Sequence, residues 1–128
     1  MMILSATLAG FKLAFEKAEE ANPRIRHMCS SVSHLDGLTG LQMFVSSDYL
    51  SGFCVHPFGE LTHVFSAVKG RGRFLVKCAK RVGARKLDCF DGYLVGFYSN
   101  LGFKEYKREP NWVEGQPDVV YMQLNQSN

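Results

Sequence analysis

The spacing of apolar residues predicts a helix at the start of the chain. Five apolar residues recur at alternating spacings of four and three: Leu4, Leu8, Phe11, Phe15 and Ala18. This spacing places them on one face of an α-helix, which Asn22-Pro23 must end. A weaker repeat of the same kind, through a serine-rich stretch, predicts a short second helix: Ile25, Met28, Val32 and Leu35.

Three short segments rich in β-branched and aromatic residues follow. They are residues 41–46, 52–56 and 60–67, and turn material such as Ser47-Asp48 and Phe58-Gly59 separates them. Short runs of this composition between tight turns are typical of antiparallel strands. The middle of the chain is therefore expected to form an antiparallel sheet.

The second half alternates helices with strands. Gly70-x-Gly72 leads into the first of these helices, and Gly83 ends it. Its apolar stripe consists of Phe74, Leu75, Cys78 and Val82. The predicted elements are helix 73–82, strand 86–90, helix 93–101, and strands near 103–109 and 118–124. A strand, turn, helix and strand in this order form a βαβ unit, so the fold class is α/β with a mixed, mostly antiparallel sheet and flanking helices.

Length and composition favour a single domain over residues 1–128. The chain has 128 residues, of which 46% are hydrophobic, and it contains no linker-like or repeated segment. No stretch approaches the roughly 18 consecutive apolar residues of a membrane-spanning helix, and the first residues do not resemble a signal peptide. The four cysteines are scattered, which favours buried thiols in a cytoplasmic protein over a disulfide framework.

Charge is concentrated in one segment. Residues 67–86 hold eight basic and no acidic residues, whereas the remainder holds seven basic against twelve acidic residues, a net charge of −5. This segment indicates an anionic ligand bound at one place, and a solvated basic helix face is the alternative. Nucleic acid is disfavoured as the ligand, because the net charge is only +3 and no base-reading motif is present.

The glycine-rich turn at residues 69–74 lies inside this basic segment. Two glycines let the backbone approach an anion closely, and the helix that follows directs N–H groups and a positive dipole end toward it. Glycine that merely allows a positive φ is the alternative. The phosphate loop of nucleotide hydrolases and the dinucleotide fingerprint are both incomplete here.

The run from residue 83 onward resembles the GNAT acetyltransferase superfamily. The later part of the family pattern is matched by Gly83-Ala84-Arg85-Lys86-Leu87, then Asp91, and Phe97-Tyr98-Ser99-Asn100-Leu101-Gly102-Phe103. The family's pyrophosphate-binding segment is resembled by Lys69-Gly70-Arg71-Gly72, with Phe74 in the last position. A late Gly-x-Pro-Asp-Val-Val run at 115–120 is similar to short GNAT-like bacteriophage proteins. The resemblance covers roughly residues 41–124 and implies acetyl-coenzyme A as co-substrate.

The resemblance also implies roles for individual residues. The coenzyme phosphates would bind Lys69, Gly70, Arg71, Gly72, Arg73 and Phe74, with Asp91 near the cofactor. Tyr98 would protonate the departing thiolate, a role that suits a phenol because it keeps its proton at neutral pH. The backbone N–H groups of Val64, Phe65 and Ser66 would polarise the acetyl carbonyl. The alternative for Tyr98 is ordinary packing in the core.

Attack by an amine requires a general base, because an amine of pKa about 10.4 is mostly protonated at pH 7. Glu60 and His63, on the strand before the turn, are candidates, and Asp91 is a third. Strand alternation puts His63 on one face with Leu61, Phe65 and Ala67, which favours a core histidine. A zinc site of His27, Cys29, Cys54 and His56 is disfavoured because the spacings lack the usual turn between ligands.

Two functions from different classes fit the sequence. The first is an N-acetyltransferase that acts on an amine of a protein or a small molecule. The second is a catalytically weak or inactive GNAT-like phage protein that binds and modulates a host enzyme. An aromatic residue on a long loop is a usual anchor for a partner, and Trp112 lies in such a loop at 110–116. A homodimer is a further partner that the sequence leaves open.

Overall fold

The computed structural model describes residues 1–25 and 29–124. The chain divides into two compact units, residues 1–84 and residues 85–128. The expectation of a single domain over residues 1–128 stays a prediction. No helix in the described part of the chain is both long and apolar enough to span a bilayer.

The first unit contains a four-stranded antiparallel sheet. Its strands are β1 (Ile3–Ala6), β2 (Gln42–Ser46), β3 (Ser51–Val55) and β4 (Leu61–Ser66), in the order β1-β2-β3-β4. Helix α1 (Leu8–Ala21) packs on β2 and β3, and helix α2 (Gly72–Arg81) packs on β3 and β4. The strands at 41–46, 52–56 and 60–67 are thus confirmed to within one or two residues.

A single hydrophobic cluster joins α1 to this sheet. Its buried members are Phe11, Ala14, Phe15, Ala18, Ile25, Leu35, Val45, Cys54 and Phe65. The Phe15 and Phe65 rings meet edge to face with 5.0 Å between their centroids. Such aromatic pairs add about 1 kcal/mol to the burial of their surface, so the contact stabilises the packing of α1 on β4.

The start of the predicted first helix is wrong. Leu4 belongs to β1, where it pairs with Val45 of β2, and the helix begins only at Leu8. Thr7 caps it, because its side chain accepts a hydrogen bond from the Gly10 N–H at 3.1 Å. Pairing with β2 decides the conformation of residues 3–6, although Leu4 also fits the helical spacing.

The predicted second helix over residues 25–35 is also wrong in extent. A 3-10 turn covers Val32–Leu35, and the Ser31 side chain caps it. Cys29 and Ser30 are not helical. Met28 lies outside the described residues.

Helix α2 buries a stripe that matches the predicted one only at Leu75, with Cys78 half-buried. Leu75, Val76 and Ala79 face the sheet, whereas Phe74 is 41% exposed and Val82 is also exposed. The helix begins one residue early, at Gly72. Contact with β3 and β4 selects the buried face. The basic residues Arg73, Lys77 and Arg81 of the helix are exposed.

The second unit contains a three-stranded antiparallel sheet. Its strands are β5 (Lys86–Phe90), β6 (Phe103–Glu109) and β7 (Val119–Leu124), in the order β5-β7-β6. Helix α3 (Tyr93–Ser99) packs on β5 and β6. The predicted element order from β4 through α2 to β5 is confirmed. The βαβ unit predicts that β4 and β5 lie side by side in parallel. In the described residues they do not pair: every strand pairing is antiparallel, and β4 and β5 are each the last strand of a different sheet.

The loop between β6 and β7 carries the only tryptophan. Trp112 is 83% exposed. The Asn111 side chain shapes the loop, because its amide donates to the Pro117 carbonyl at 3.0 Å and its oxygen accepts from the Val113 N–H at 2.9 Å.

Candidate active site

Strand β4 contains an irregularity in its last half. Thr62 pairs with Cys54 and Phe65 pairs with Gly52, so His63 and Val64 together stand opposite Phe53. His63 takes a left-handed conformation with φ of 53°. A bulge of this kind bends the strand and redirects the groups that follow. No local pattern predicts this conformation, because a positive φ is uncommon in residues other than glycine.

The bulge includes Val64, the first of the three residues whose N–H groups were expected to polarise a carbonyl, and precedes the other two. The Ala67 N–H donates to the Leu50 carbonyl on the β3 side at 2.8 Å. Because successive N–H groups of a strand point to opposite sides, the Ser66 N–H points to the outer edge of the sheet. The Ser66 hydroxyl ends the strand, donating to the Val68 carbonyl at 2.6 Å and accepting from the Val68 N–H at 3.0 Å.

His63 lies in the core of the first unit and is only 6% exposed. Its Nε2 lies 3.2 Å from the Ser31 carbonyl oxygen and its Nδ1 lies 2.9 Å from the Thr62 hydroxyl. Burial lowers the pKa of the imidazole below its usual range. Both ring nitrogens are thus occupied, and this placement favours the core role over the role of general base.

Glu60 lies at the other end of β4. Its backbone carbonyl accepts from the His56 N–H at 2.8 Å, which closes the turn between β3 and β4. At about 3.3 Å per residue, Glu60 stands about 20 Å along the strand from Ser66. Its side chain is half-buried. Glu60 is therefore beyond the reach of a single bridging water, and any action on a group held beside Ser66 would need a chain of several water molecules.

The glycine-rich turn leads from β4 into α2. Gly70 has φ of 89°, a conformation that favours glycine, and Lys69 and Gly70 are exposed. Helix α2 has ten residues, and the first N–H groups of any α-helix have no partner within it. Arg73 and Phe74 are exposed at this end. The turn and the helix end therefore fit an anion such as a pyrophosphate.

Arg71 stabilises this turn with its side chain. Its guanidinium donates to both carboxylate oxygens of Asp48, at 3.0 and 2.5 Å, and to the Ser51 hydroxyl at 3.1 Å. These bonds hold the pKa of Asp48 well below its usual range. The Arg71 side chain thus joins the turn before α2 to the turn between β2 and β3. The neighbouring cations Lys69 and Arg73 are exposed to solvent.

The Asp48–Arg71 pair gives a pH-dependent prediction. The pKa of Asp48 is lower in the folded chain than the unfolded value of about 3.9, so the pair stabilises the fold above about pH 4 and this contribution is lost as the pH falls below it. Asp48→Asn should lower Tm by roughly 4 °C at pH 7, which corresponds to about 1 kcal/mol for a partly exposed pair. Thermal unfolding at several pH values measures the difference, which should shrink toward pH 3.

The control is Asp36→Asn, which removes the partner of Lys12 in a more exposed ion pair. It should change Tm less than Asp48→Asn does at pH 7. A difference between wild type and Asp48→Asn that stays constant from pH 7 to pH 3 would contradict the prediction.

Tyr98 belongs to the second unit, on α3. It is 9% exposed, and its ring packs edge to face against Phe97 and Phe103 at centroid distances of 5.1 and 5.8 Å. The ring is therefore fixed by packing. Gly102, with φ of 98°, allows the chain to turn from α3 into β6.

Asp91 lies between β5 and α3 in an ion-pair network. Its carboxylate accepts from Arg108 at 2.7 Å, and Arg108 also donates to both carboxylate oxygens of Glu105, at 3.0 and 2.8 Å. These carboxylates raise the pKa of Arg108 further above its usual range. The carboxylate of Asp91 is thus held by a cation, which disfavours Asp91 as a base.

The thiols of Cys29 and Cys54 are protonated at neutral pH. Burial raises the pKa of Cys29 to about 12 and that of Cys54 to about 11. Among the described residues, no three or more His, Cys, Asp or Glu side chains are grouped as metal ligands. His27 of the disfavoured zinc set lies outside these residues.

Comparison with solved structures identifies the fold. The chain superposes on yncA from Salmonella typhimurium, solved with acetyl-CoA, with a TM-score of 0.66, 17% identity and coverage of 100% of this chain and 95% of that one. Spermidine N-acetyltransferase from Vibrio cholerae, solved as a dodecamer, superposes with a TM-score of 0.66 at 14% identity, covering 98% of this chain and 94% of that one. An acetyltransferase of the GNAT family from Desulfovibrio desulfuricans superposes with a TM-score of 0.63 at 14% identity, covering 96% of this chain and 98% of that one.

These superpositions show that the chain has the fold of the GNAT acetyltransferases, as the sequence motifs predicted. The similarity extends over nearly the whole length of each protein. No protein-family model and no curated protein sequence matches the chain.

Sequence reasoning missed three contributors to the site. Asp48 was read only as turn material, although it binds Arg71 through two hydrogen bonds. Cys29 and Ser31 were placed in a helix or a zinc set, whereas both contact β4. These contacts join residues 20 or more positions apart, and no local pattern indicates them.

Proposed function

We propose that the protein is an N-acetyltransferase that moves an acetyl group from acetyl-coenzyme A to an amine of a protein or a small molecule. One observation carries the proposal. In the first unit, the bulged edge strand β4 leads through a positive-φ glycine into the exposed, basic start of α2. This arrangement supplies a carbonyl-polarising N–H group and a phosphate-binding helix end within one continuous segment.

The residues of that segment have separate tasks in the proposed reaction. The coenzyme phosphates bind the backbone of Gly70, Gly72 and Phe74, with the side chains of Lys69 and Arg73 supplying positive charge. The Ser66 N–H, which points to the outer edge of the sheet, stabilises the negative charge that develops on the acetyl oxygen. The Phe65 N–H points to β3, where Phe65 pairs with Gly52, and is not available for this role. Arg71 keeps the turn in place through Asp48.

Proton transfer completes the reaction. The attacking amine must lose a proton to a base. His63 is occupied in the core and Asp91 is ion-paired, and Glu60 can accept the proton only through a chain of several water molecules. Tyr98 donates its proton to the thiolate as the carbon–sulfur bond breaks. The fixed ring of Tyr98 supports a role that demands a defined orientation.

Binding of acetyl-coenzyme A tests the proposal directly. A Lys69→Ala, Arg73→Ala variant should bind acetyl-coenzyme A about tenfold more weakly in calorimetry, because two cations beside the phosphates are lost; a tenfold loss corresponds to about 1.4 kcal/mol. Lys17→Ala, Arg24→Ala is the matched control, since it removes two exposed cations from the region of α1 and should bind like the wild type.

The outcomes are distinct. Equal affinities in the two double variants would exclude residues 69–74 as the phosphate site. Failure of the wild-type protein to bind acetyl-coenzyme A would contradict the proposed enzyme and favour the second candidate function.

The second candidate is a GNAT-like phage protein that binds a host enzyme in the bacterial cytoplasm. The observation in its favour is the exposed apolar pair Trp112 and Val113 on the loop between β6 and β7. Exposed aromatic side chains are frequent anchors of protein interfaces. In this case Trp112→Ala would abolish binding to the host enzyme, while the wild-type protein would not bind acetyl-coenzyme A.

A further inference from the structure

The bulge in β4 is connected to the segment that follows α1 by two hydrogen bonds. The thiol of Cys29 donates to the Val64 carbonyl at 3.3 Å. His63 Nε2 donates to the Ser31 carbonyl at 3.2 Å, since a carbonyl oxygen can only accept. Two consecutive residues of the bulge are thus attached to residues 29–31.

The donor and acceptor roles around His63 follow from these contacts. Because Nε2 carries the proton in the neutral ring, Nδ1 must accept, and the Thr62 hydroxyl is its donor at 2.9 Å. The Thr62 oxygen then accepts from His56 Nε2 at 2.8 Å. A chain of three hydrogen bonds therefore fixes the imidazole in one tautomer and one orientation.

Aromatic packing fixes the same ring from a third direction. The centroids of Phe11 and Phe15 lie 6.4 and 5.7 Å from that of His63, both at steep interplanar angles. The backbone of His63 has φ of 53°, which is costly for a residue with a side chain. The surroundings of the ring must therefore offset the cost of the bulge.

We infer that His63 is a positioning residue, which together with Cys29 and the Ser31 carbonyl holds the β4 bulge so that the outward-pointing Ser66 N–H stays aligned for the acetyl carbonyl. The inference rests on the proposed acetyl transfer for its catalytic consequence. The bulge itself is a feature of the free protein. His63 acts through the backbone that follows it and does not exchange a proton with the substrate.

His63→Asn distinguishes the contribution of the imidazole ring from that of the backbone conformation at this residue. Asparagine tolerates a positive φ, so it can keep the bulge conformation, but its side chain is too short to reach the Ser31 carbonyl. We expect kcat to fall roughly tenfold to 100-fold, because a misaligned backbone N–H donor stabilises the developing oxyanion less. The dissociation constant for acetyl-coenzyme A should change less than about threefold, since the phosphate-binding turn is intact.

Two further variants define the origin of the effect. His34→Asn is the control, because His34 is an exposed histidine of the same segment, and it should retain wild-type kcat. Cys29→Ala removes the second attachment and should lower kcat roughly threefold. Assays at 20 °C, with Tm measured for each variant, separate loss of folded protein from loss of turnover.

Hydrogen exchange gives a readout that does not need activity. In ligand-free protein, the amides of residues 61–68 should exchange about tenfold faster in His63→Asn than in the wild type or His34→Asn. If exchange is unchanged, or if kcat of His63→Asn stays within about twofold of wild type, the inference is wrong. If the wild type transfers acetyl to no amine, the proposed function fails, and the exchange rates still decide whether His63 holds the bulge.

Discussion

Tyr98→Phe should lower kcat for acetyl transfer about 100-fold while leaving the affinity for acetyl-coenzyme A nearly unchanged. Removal of a general acid typically costs between about 10²-fold and 10⁴-fold in rate. The substitution removes only the hydroxyl, and the ring keeps its contacts with Phe97 and Phe103. Steady-state kinetics and calorimetry on the same preparations measure the two effects.

Tyr93→Phe is the matched control, since Tyr93 lies at the exposed start of the same helix. It should retain the wild-type kcat. Equal kcat for wild type and Tyr98→Phe would assign Tyr98 to core packing, the alternative that the sequence left open. A large loss of acetyl-coenzyme A affinity in Tyr98→Phe would also contradict a purely acid role.

Gly52→Ala should destabilise the first unit by about 2 to 4 kcal/mol. A Cβ atom at this position would lie 2.4 Å from the backbone oxygen of Phe44 and 3.0 Å from the ring of Phe65. The backbone oxygen belongs to β2 and cannot withdraw without disturbing the pairing of β2 with β3. We expect Tm to fall by roughly 10 °C in thermal unfolding.

Gly96→Ala supplies the contrast, because a Cβ at Gly96 in α3 meets no atom within 4 Å among the described residues. Alanine favours a helix over glycine by about 1 kcal/mol, so this variant should be as stable as the wild type or more so. A Gly52→Ala variant with wild-type Tm would mean that β2 and β3 can separate without cost, contrary to the described packing.

Local patterns located most elements because they report burial along a short stretch. The alternation of Leu61, His63 and Phe65 with Thr62 and Val64 matches the buried and half-buried positions of β4. The sequence even predicted that His63 lies among apolar residues. It did not show the left-handed conformation, since that depends on contacts with Ser31 and with the rings of α1.

The errors in the elements arose where a local pattern fitted two structures. Leu4 completes the helical spacing of α1, but pairing with Val45 makes it part of a strand. Phe74 and Val82 fit the predicted stripe of α2, yet the helix turns Leu75, Val76 and Ala79 to the sheet. In each case a strand distant in sequence determined the outcome.

Residue pattern alone predicted the order of strands and helices from β2 to β7, the basic segment with its glycine turn, and the motifs that indicated the GNAT fold. These features depend on periodicity and on residue type, both of which are local. The ion pair of Arg71 with Asp48 and the hydrogen bond of His63 to Ser31 within a bulge became visible only in the folded chain. Such contacts join residues more than 20 positions apart, and their energies depend on burial and distance, which a linear pattern does not contain.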